Sequence, residues 1–220
     1  NEYNLLKVIH PKIVYNPDLE TLLNSVEKVL TWHNLLFLGE PCREWMVYLL
    51  ALMRSFDQGV AEALSDRLQL APRHRKVLSY EKIKAEAWLK RMACQQTLKN
   101  SDLYRRLRPF HTETLLYIMA STTRESIKRA ISNYITRLRY ITTSLSGNDL
   151  KEMGFRPGPV YREILDSLLD ARLNGEVKTR EDELGFVRTH WRIDAQCARS
   201  NPGNGVKQKH NRAVVCRPQI

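Results

Sequence analysis

The sequence predicts an all-α protein, a helical bundle body followed by a small helical tail domain. Three observations carry this. Leu, Lys, Arg and Glu abound, while glycine is confined to nine of 220 positions. Apolar residues recur at three- and four-residue spacing through most of the chain, and period-two alternation is scarce. Asn, Asp, Ser and Thr precede those stretches, and Pro or Gly follows them, as at helix starts and stops.

In chain order, Asn1 to Ile9 reads as the end of a helix. His10-Pro11 closes it, because the residue before a proline disfavours the helical region. Asn16 and Pro17 open the next helix as N-cap and first helical residue. Leu19, Leu22, Leu23, Val26, Val29 and Leu30 line one of its faces, and Gly39-Glu40-Pro41 breaks the pattern. Glu44 to Phe56 is apolar nearly all round, which places it in the middle of a bundle. Asp57 caps an amphipathic stretch reaching Leu70.

Pro72 to Cys94 is strongly basic. Val77, Leu78, Ile83, Ala87, Trp88 and Met92 form its apolar stripe. Arg73, His74, Arg75, Lys76, Lys82, Lys84, Lys90 and Arg91 give it charge, either as a solvated face with Glu pairs such as Glu81 and Glu86 or as one wall of a phosphate-binding surface. Asn100-Ser101-Asp102 is a turn and cap. A short helix then carries Tyr104, Arg105, Arg106 and Arg108, and Pro109 ends it. Thr112 to Ala120 is a mostly buried helix. Ser121-Thr122-Thr123 caps another, with Ile127, Ala130, Ile131, Tyr134, Leu138 and Ile141 on one face. Arg124, Lys128, Arg129, Arg137 and Arg139 lie on its outer face.

The stretch from Ser146 to Val187 is the most informative. Gly147-Asn148-Asp149-Leu150 opens a short helix. Gly154-Phe155-Arg156-Pro157-Gly158-Pro159 is a tight hairpin, whose glycines and prolines permit or fix unusual backbone angles. Such a loop can bring its amides against an anion, or it is simply a turn between helices. Val160, Ile164, Leu165, Leu168 and Leu169 form a packing stripe on the helix that follows, and Glu163, Asp166 and Asp170 its wet face. Asn174-Gly175 stops that helix. Thr179 to Asp182 starts another, with Glu181, Asp182 and Glu183 at the positive end of its dipole. From Arg188 onward seven basic residues oppose only Asp194. Residues 200–220 read as a basic, disordered terminus.

A formal net charge of +11 favours a polyanionic partner, nucleic acid before membrane. No apolar run approaches the ~18 residues of a membrane span. The four cysteines, Cys42, Cys94, Cys197 and Cys216, are widely spaced and form no CxxC. They read as free thiols of a cytoplasmic protein. The six histidines are scattered, and no metal site or catalytic constellation is expected. The chain starts at Asn1 without Met, as a piece of a longer protein would.

The segment GNDLKEMGFRPGP, followed by YREIL and LLDARLNGEVKTREDE, resembles the C-terminal region of bacterial tRNA nucleotidyltransferases. That family embraces CCA-adding enzymes, A-adding enzymes and poly(A) polymerases. Leu5 to Pro11 resembles the join after the family's neck helices. The resemblance runs from about residue 3 to 190. It implies the end of a neck helix and a linker over 1–16, a helical body over 17–143 and a helical tail over 144–199. Catalysis in the family belongs to a head domain that holds Mg2+ and the incoming ATP or CTP. This chain carries none of that head's motifs, so it is expected to be inactive alone, to bind no cofactor, and to be joined in its parent to an N-terminal catalytic domain. The part present implies a grip on the acceptor and T arms of tRNA, by shape and backbone. The expected RNA-facing residues are Arg73, Arg75, Lys76, Lys82, Lys84, Arg105, Arg106, Arg124, Lys128, Arg129, Arg137, Arg156, Gly158 and Arg162. Arg162 departs from the small residue common in relatives. Two other readings stand beside this one: a helical protein-interaction or oligomerisation module, and a DNA-binding protein whose hairpin clamps phosphate.

Overall fold

The structure is a computed structural model, and it describes residues 5–39, 42–92 and 98–191. All regular elements among these residues are helical, as expected from the periodicity. The chain separates into two compact units, residues 1–140 and residues 141–220. The expected disordered terminus, 200–220, lies outside the described residues, as do Cys94, Cys197 and Cys216.

The first unit begins with α1 (Leu5–Ile9) and α2 (Pro17–Leu35). Asn16 caps α2 as its residue type predicts, its side chain accepting the Leu19 N–H at 2.8 Å. Next come α3 (Glu44–Leu52) and α4 (Gln58–Arg67). Asp57 caps α4 through the Val60 N–H at 2.9 Å. α5 (Pro72–Arg75) runs through a π-helical turn, Lys76–Glu81, into α6 (Lys82–Met92). α7 (Asn100–Leu107), α8 (Thr112–Ser121) and α9 (Glu125–Thr136) complete the unit, with a 3-10 turn at Leu138–Tyr140.

The core forms around α8, where every residue from Glu113 to Ala120 is buried. α2, α3, α6 and α9 all pack on it. Met46, Val47, Leu50, Leu116 and Ile118 are fully enclosed, which accounts for the all-round apolar character of α3 and of Leu115 to Ala120 in α8.

Two buried carboxylates hold the N-terminal end of α8. Its first-turn N–H groups have no partner inside the helix, and its N-cap, His111, makes no side-chain cap bond. Glu81 supplies the missing acceptor from the π-helical turn. It takes the His111 N–H at 2.9 Å and the Thr114 hydroxyl at 2.8 Å, and lies 2.6 Å from His111 Nδ1. Glu113, in the first turn itself, meets Arg73 Nη2 at 3.2 Å. Negative charge is favourable at this end of the dipole.

Several local expectations are corrected. Glu81 is 2 % exposed rather than on a solvated face. Lys82 is buried as well, whereas Ile83 is 41 % exposed and Ala87 is exposed, so these two leave the expected stripe while Val77, Leu78, Trp88 and Met92 are buried as expected. After the wide turn the inward positions are Lys82, Ala85, Trp88 and Met92, spaced three to four apart as on any α-helix. The expected stripe counted apolar residues, while the buried phase is set by what the turn places inside. Helix α7 starts at Asn100, so Lys99 rather than Asn100 holds the cap position. α9 stops at Thr136 and passes into the 3-10 turn, so Ile141 does not extend its face.

The second unit contains α10 (Gly147–Glu152), α11 (Pro159–Asn174) and α12 (Arg180–His190). Its core is Leu145, Leu150, Ile164, Leu168 and Val187, with Phe155, Val160, Leu165 and Leu184 packed around it. Capping boxes at Ser146/Asp149 and Thr179/Asp182 start α10 and α12. Gly175 ends α11 in the left-handed conformation, φ 80°, where a side chain is strained. Glu183 stands in the first turn of α12, as expected for the positive end of the dipole. It is also fully buried and accepts from Ser144 N, Leu145 N at 2.9 Å and Arg172 Nη1.

Candidate nucleic-acid interface

Charge alone does not make an interface, because a cation already matched by a carboxylate offers little to a phosphate. The expected RNA-facing residues separate on this criterion. Arg73 is committed to buried Glu113. Arg75 pairs with Asp66 and donates to the Leu70 carbonyl at 3.0 Å. Lys82 is removed from the surface: its side chain is 3 % exposed, and Nζ donates to the Phe56 carbonyl at 2.7 Å and lies 3.3 Å from Glu86. Its long stem lets the ammonium reach these oxygens from an inward position.

Lys76 and Lys84 remain on the outside, and Lys84 Nζ sits over the Tyr80 ring, 4.1 Å from its centroid. With Ile83, Ala87, Lys90 and Arg91 they make the exposed face of the helix from Lys76 to Met92. Its exposed residues include no carboxylate, Glu86 being half-buried at its flank. Glu81 is buried, and Glu86 is turned toward Lys82 and the Tyr117 hydroxyl, 3.3 Å from each. Arg105 and Arg106 are exposed on α7, Arg129 on α9 and Arg137 just after it. Arg124, at the start of α9, points its guanidinium to the Met92 carbonyl at 3.4 Å. Lys128 pairs with Glu125 at 3.0 Å.

Sequence reasoning missed Arg54 and left Lys90 unselected. Both line a cleft of about 590 Å3 that also contains Arg124, Tyr117, Glu86 and the Ser121–Thr123 loop. A second cleft, about 730 Å3, shares Arg54 and that same loop and adds Lys12, Asp18 and Lys128. The loop therefore separates two concave surfaces of the first unit. Arg54 carries no local signal, since it is a lone cation at the end of an apolar run. Only the fold brings it to α6 and α9.

In the second unit Arg156 and Gly158 are exposed, and Arg162, 89 % exposed, is 3.8 Å from Asp166. Gly154 has φ 91°, as the hairpin expectation required. Gly158 differs: its φ of 168° is extended backbone, and a Cβ there would meet nothing within 4 Å. Neither local conformation nor packing demands glycine at 158. Tyr161 ties the hairpin down by donating to the Phe155 carbonyl at 2.9 Å.

Among the described residues no group of His, Cys, Asp or Glu is placed to hold a metal. None of the described helices is long and apolar enough to cross a membrane. Burial, then Glu113 and Glu44, push the Cys42 thiol up to about 12.

No family model matches the chain. It is 42% identical over 184 residues to the A-adding tRNA nucleotidyltransferase of Geobacter sulfurreducens, an alignment covering 82% of the chain and 21% of that relative. The enzyme of the same name from Aquifex aeolicus is 25% identical over 175 residues, or 76% of the chain and again 21% of the relative. The chain thus spans about a fifth of the length of these curated relatives. Its fold matches the CCA-adding enzyme of Thermotoga maritima solved in complex with tRNA, with a TM-score of 0.67 at 17% identity over 86% of this chain and 45% of that one. A tRNA-processing enzyme gives 0.64 at 25% identity over 79% and 45%.

Proposed function

We infer from its similarity to part of two A-adding tRNA nucleotidyltransferases that the chain is an RNA-gripping, non-catalytic, C-terminal portion of such an enzyme. Its partner is tRNA or another structured RNA, held through the sugar-phosphate backbone. The addition chemistry, with its metal and nucleotide, falls to residues outside this chain. The observation that carries the reading is the outward face from Lys76 to Arg91. It presents lysines, an arginine, Tyr80 and Ile83 with no carboxylate among them. A solvated helix face normally mixes both signs of charge. A face of one sign with an aromatic member suits a phosphate backbone and its sugars, and A-form RNA is read in this shape-dependent way.

The test is a titration of the chain with tRNA across salt. Several phosphate contacts predict a loss of ~10³-fold or more in affinity between about 50 and 200 mM salt. Removing the charges of Lys76, Lys84 and Arg91 together should weaken binding while the melting curve hardly moves. Absence of salt-dependent binding at low ionic strength would discard the reading and favour a protein-interaction module. Equal affinity for duplex DNA would favour a phosphate clamp indifferent to the kind of nucleic acid.

A further inference from the structure

The 590 Å3 cleft is built differently from the outward face. Its three cations come from three separate parts of the fold: Arg54 just after α3, Lys90 from α6 and Arg124 at the start of α9. A solvated charge run lies along one element, whereas these converge on one concavity. The carboxylate in the cleft does not cancel them. Glu86 already meets the Lys82 ammonium and the Tyr117 hydroxyl, and Arg54 and Lys90 have no carboxylate partner among the described residues. Thr122 Oγ1 accepts the Arg124 N–H at 3.2 Å, which leaves its hydroxyl proton free to donate. Like charges gathered in one place oppose folding. Local arrangements that cost stability mark functional sites.

We propose that this cleft is a phosphate-binding site, occupied by a backbone phosphate of bound RNA. The proposal rests on the RNA-gripping reading for the source of the phosphate, though not for the site itself. Arg54, Lys90 and Arg124 supply charge, and Thr122 and Thr123 hydroxyl donors. The volume falls in the range of small-ligand pockets, so the cleft admits a phosphate with its attached sugar.

The experiment uses the 220-residue chain and two double variants. Arg54→Gln with Lys90→Gln removes two of the cleft's three cations, Lys90 being shared with the outward face. Lys76→Gln with Lys84→Gln removes charge only from the outward face. Each is titrated with an RNA stem-loop over a range of salt, and amide spectra are recorded with inorganic phosphate and with adenosine monophosphate. The expected result is that the cleft variant lowers the slope of log affinity against log salt by about one. Phosphate should shift the Thr122, Thr123 and Arg124 amides in the wild type and fail to do so in the cleft variant. If the wild type binds RNA and the cleft variant binds it with the same affinity and slope, with no phosphate-dependent shifts, the proposal is overturned while the RNA reading stands. If phosphate or the mononucleotide moves those amides and RNA binding ignores the cleft, the site takes a free phosphorylated ligand and the RNA source is overturned. A wild type that responds to neither RNA nor phosphate overturns both. Melting curves of the variants matched to the wild type within a few degrees ensure that lost binding is not lost fold.

Discussion

The buried Glu81 carboxylate lies 2.6 Å from His111 Nδ1 and accepts the same residue's backbone N–H at 2.9 Å. One side chain thereby joins the π-helical turn to the start of the central helix. Glu81→Ala leaves the His111 N–H and the Thr114 hydroxyl without an acceptor in a dry setting. Each such orphan costs about 1–3 kcal/mol, so a melting temperature lower by several degrees is expected. Glu81→Gln keeps one oxygen and should lose less. Equal stability of Glu81→Ala and wild type in urea would show that water replaces the carboxylate.

The tail unit depends on Glu183 in a similar way. Its two oxygens take the Ser144 and Leu145 N–H groups and meet Arg172 Nη1, which fastens the loop before α10 to α11 and α12. Glu183→Gln removes the charge and leaves a single acceptor oxygen, at an expected cost of about 1–3 kcal/mol. Hydrogen exchange locates the effect. Protection at Leu145, Ile164 and Leu168 should fall, while the α8 amides keep theirs. A uniform loss across both units would contradict this assignment.

These carboxylates show what the sequence could and could not reveal. Helix class and most helix starts were legible because caps act locally: Asn16, Asp57 and Thr179 each bond an N–H three residues on. The burial of α3 and α8 was legible because nearly every residue of α3, and Leu115 to Ala120 of α8, is apolar. Glu81 and Lys82 were misplaced, and the burial of Glu183 missed, because their partners lie far along the chain, and only packing decides that a charged residue goes inside. The same holds for the candidate interface. Basic stretches were visible, but Arg73 and Arg75 are matched by Glu113 and Asp66, and Arg54 meets Lys90 and Arg124 only through the fold.

The caps of the tail unit also carry a pH signature. Hydrogen bonds from the Ser146 side chain and backbone, helped by Arg180, hold the Asp149 carboxyl down to about 2. The Thr179 and Lys178 backbone N–H groups, with the Thr179 hydroxyl, lower that of Asp182 in the same direction. Both groups thus hold their proton less tightly in the folded chain than in the unfolded one. Their contribution is complete above an unfolded carboxyl value of about 4 and is lost as pH falls toward the folded value. Asp149→Asn should therefore separate from wild type at neutral pH and converge with it as acid is added below about pH 4. A stability gap that stays constant down to pH 2 would contradict the linkage.

Lys82 and Lys84 are two positions apart in a basic run and have opposite environments. Lys82 lies inside, held by the Phe56 carbonyl and Glu86, and Lys84 lies outside against Tyr80. Their substitutions should separate stability from RNA binding. Lys82→Gln leaves the Phe56 carbonyl and Glu86 short of a charged donor, so a loss of about 1–3 kcal/mol is expected, with the salt dependence of RNA binding nearly unchanged. Lys84→Gln should change stability by no more than about 0.5 kcal/mol and reduce the salt slope by a fraction of one phosphate contact. Urea denaturation and salt-series titrations on the same two proteins make the comparison. A Lys82→Gln protein that folds like wild type and loses salt sensitivity would mean that the ammonium leaves its buried site to meet RNA.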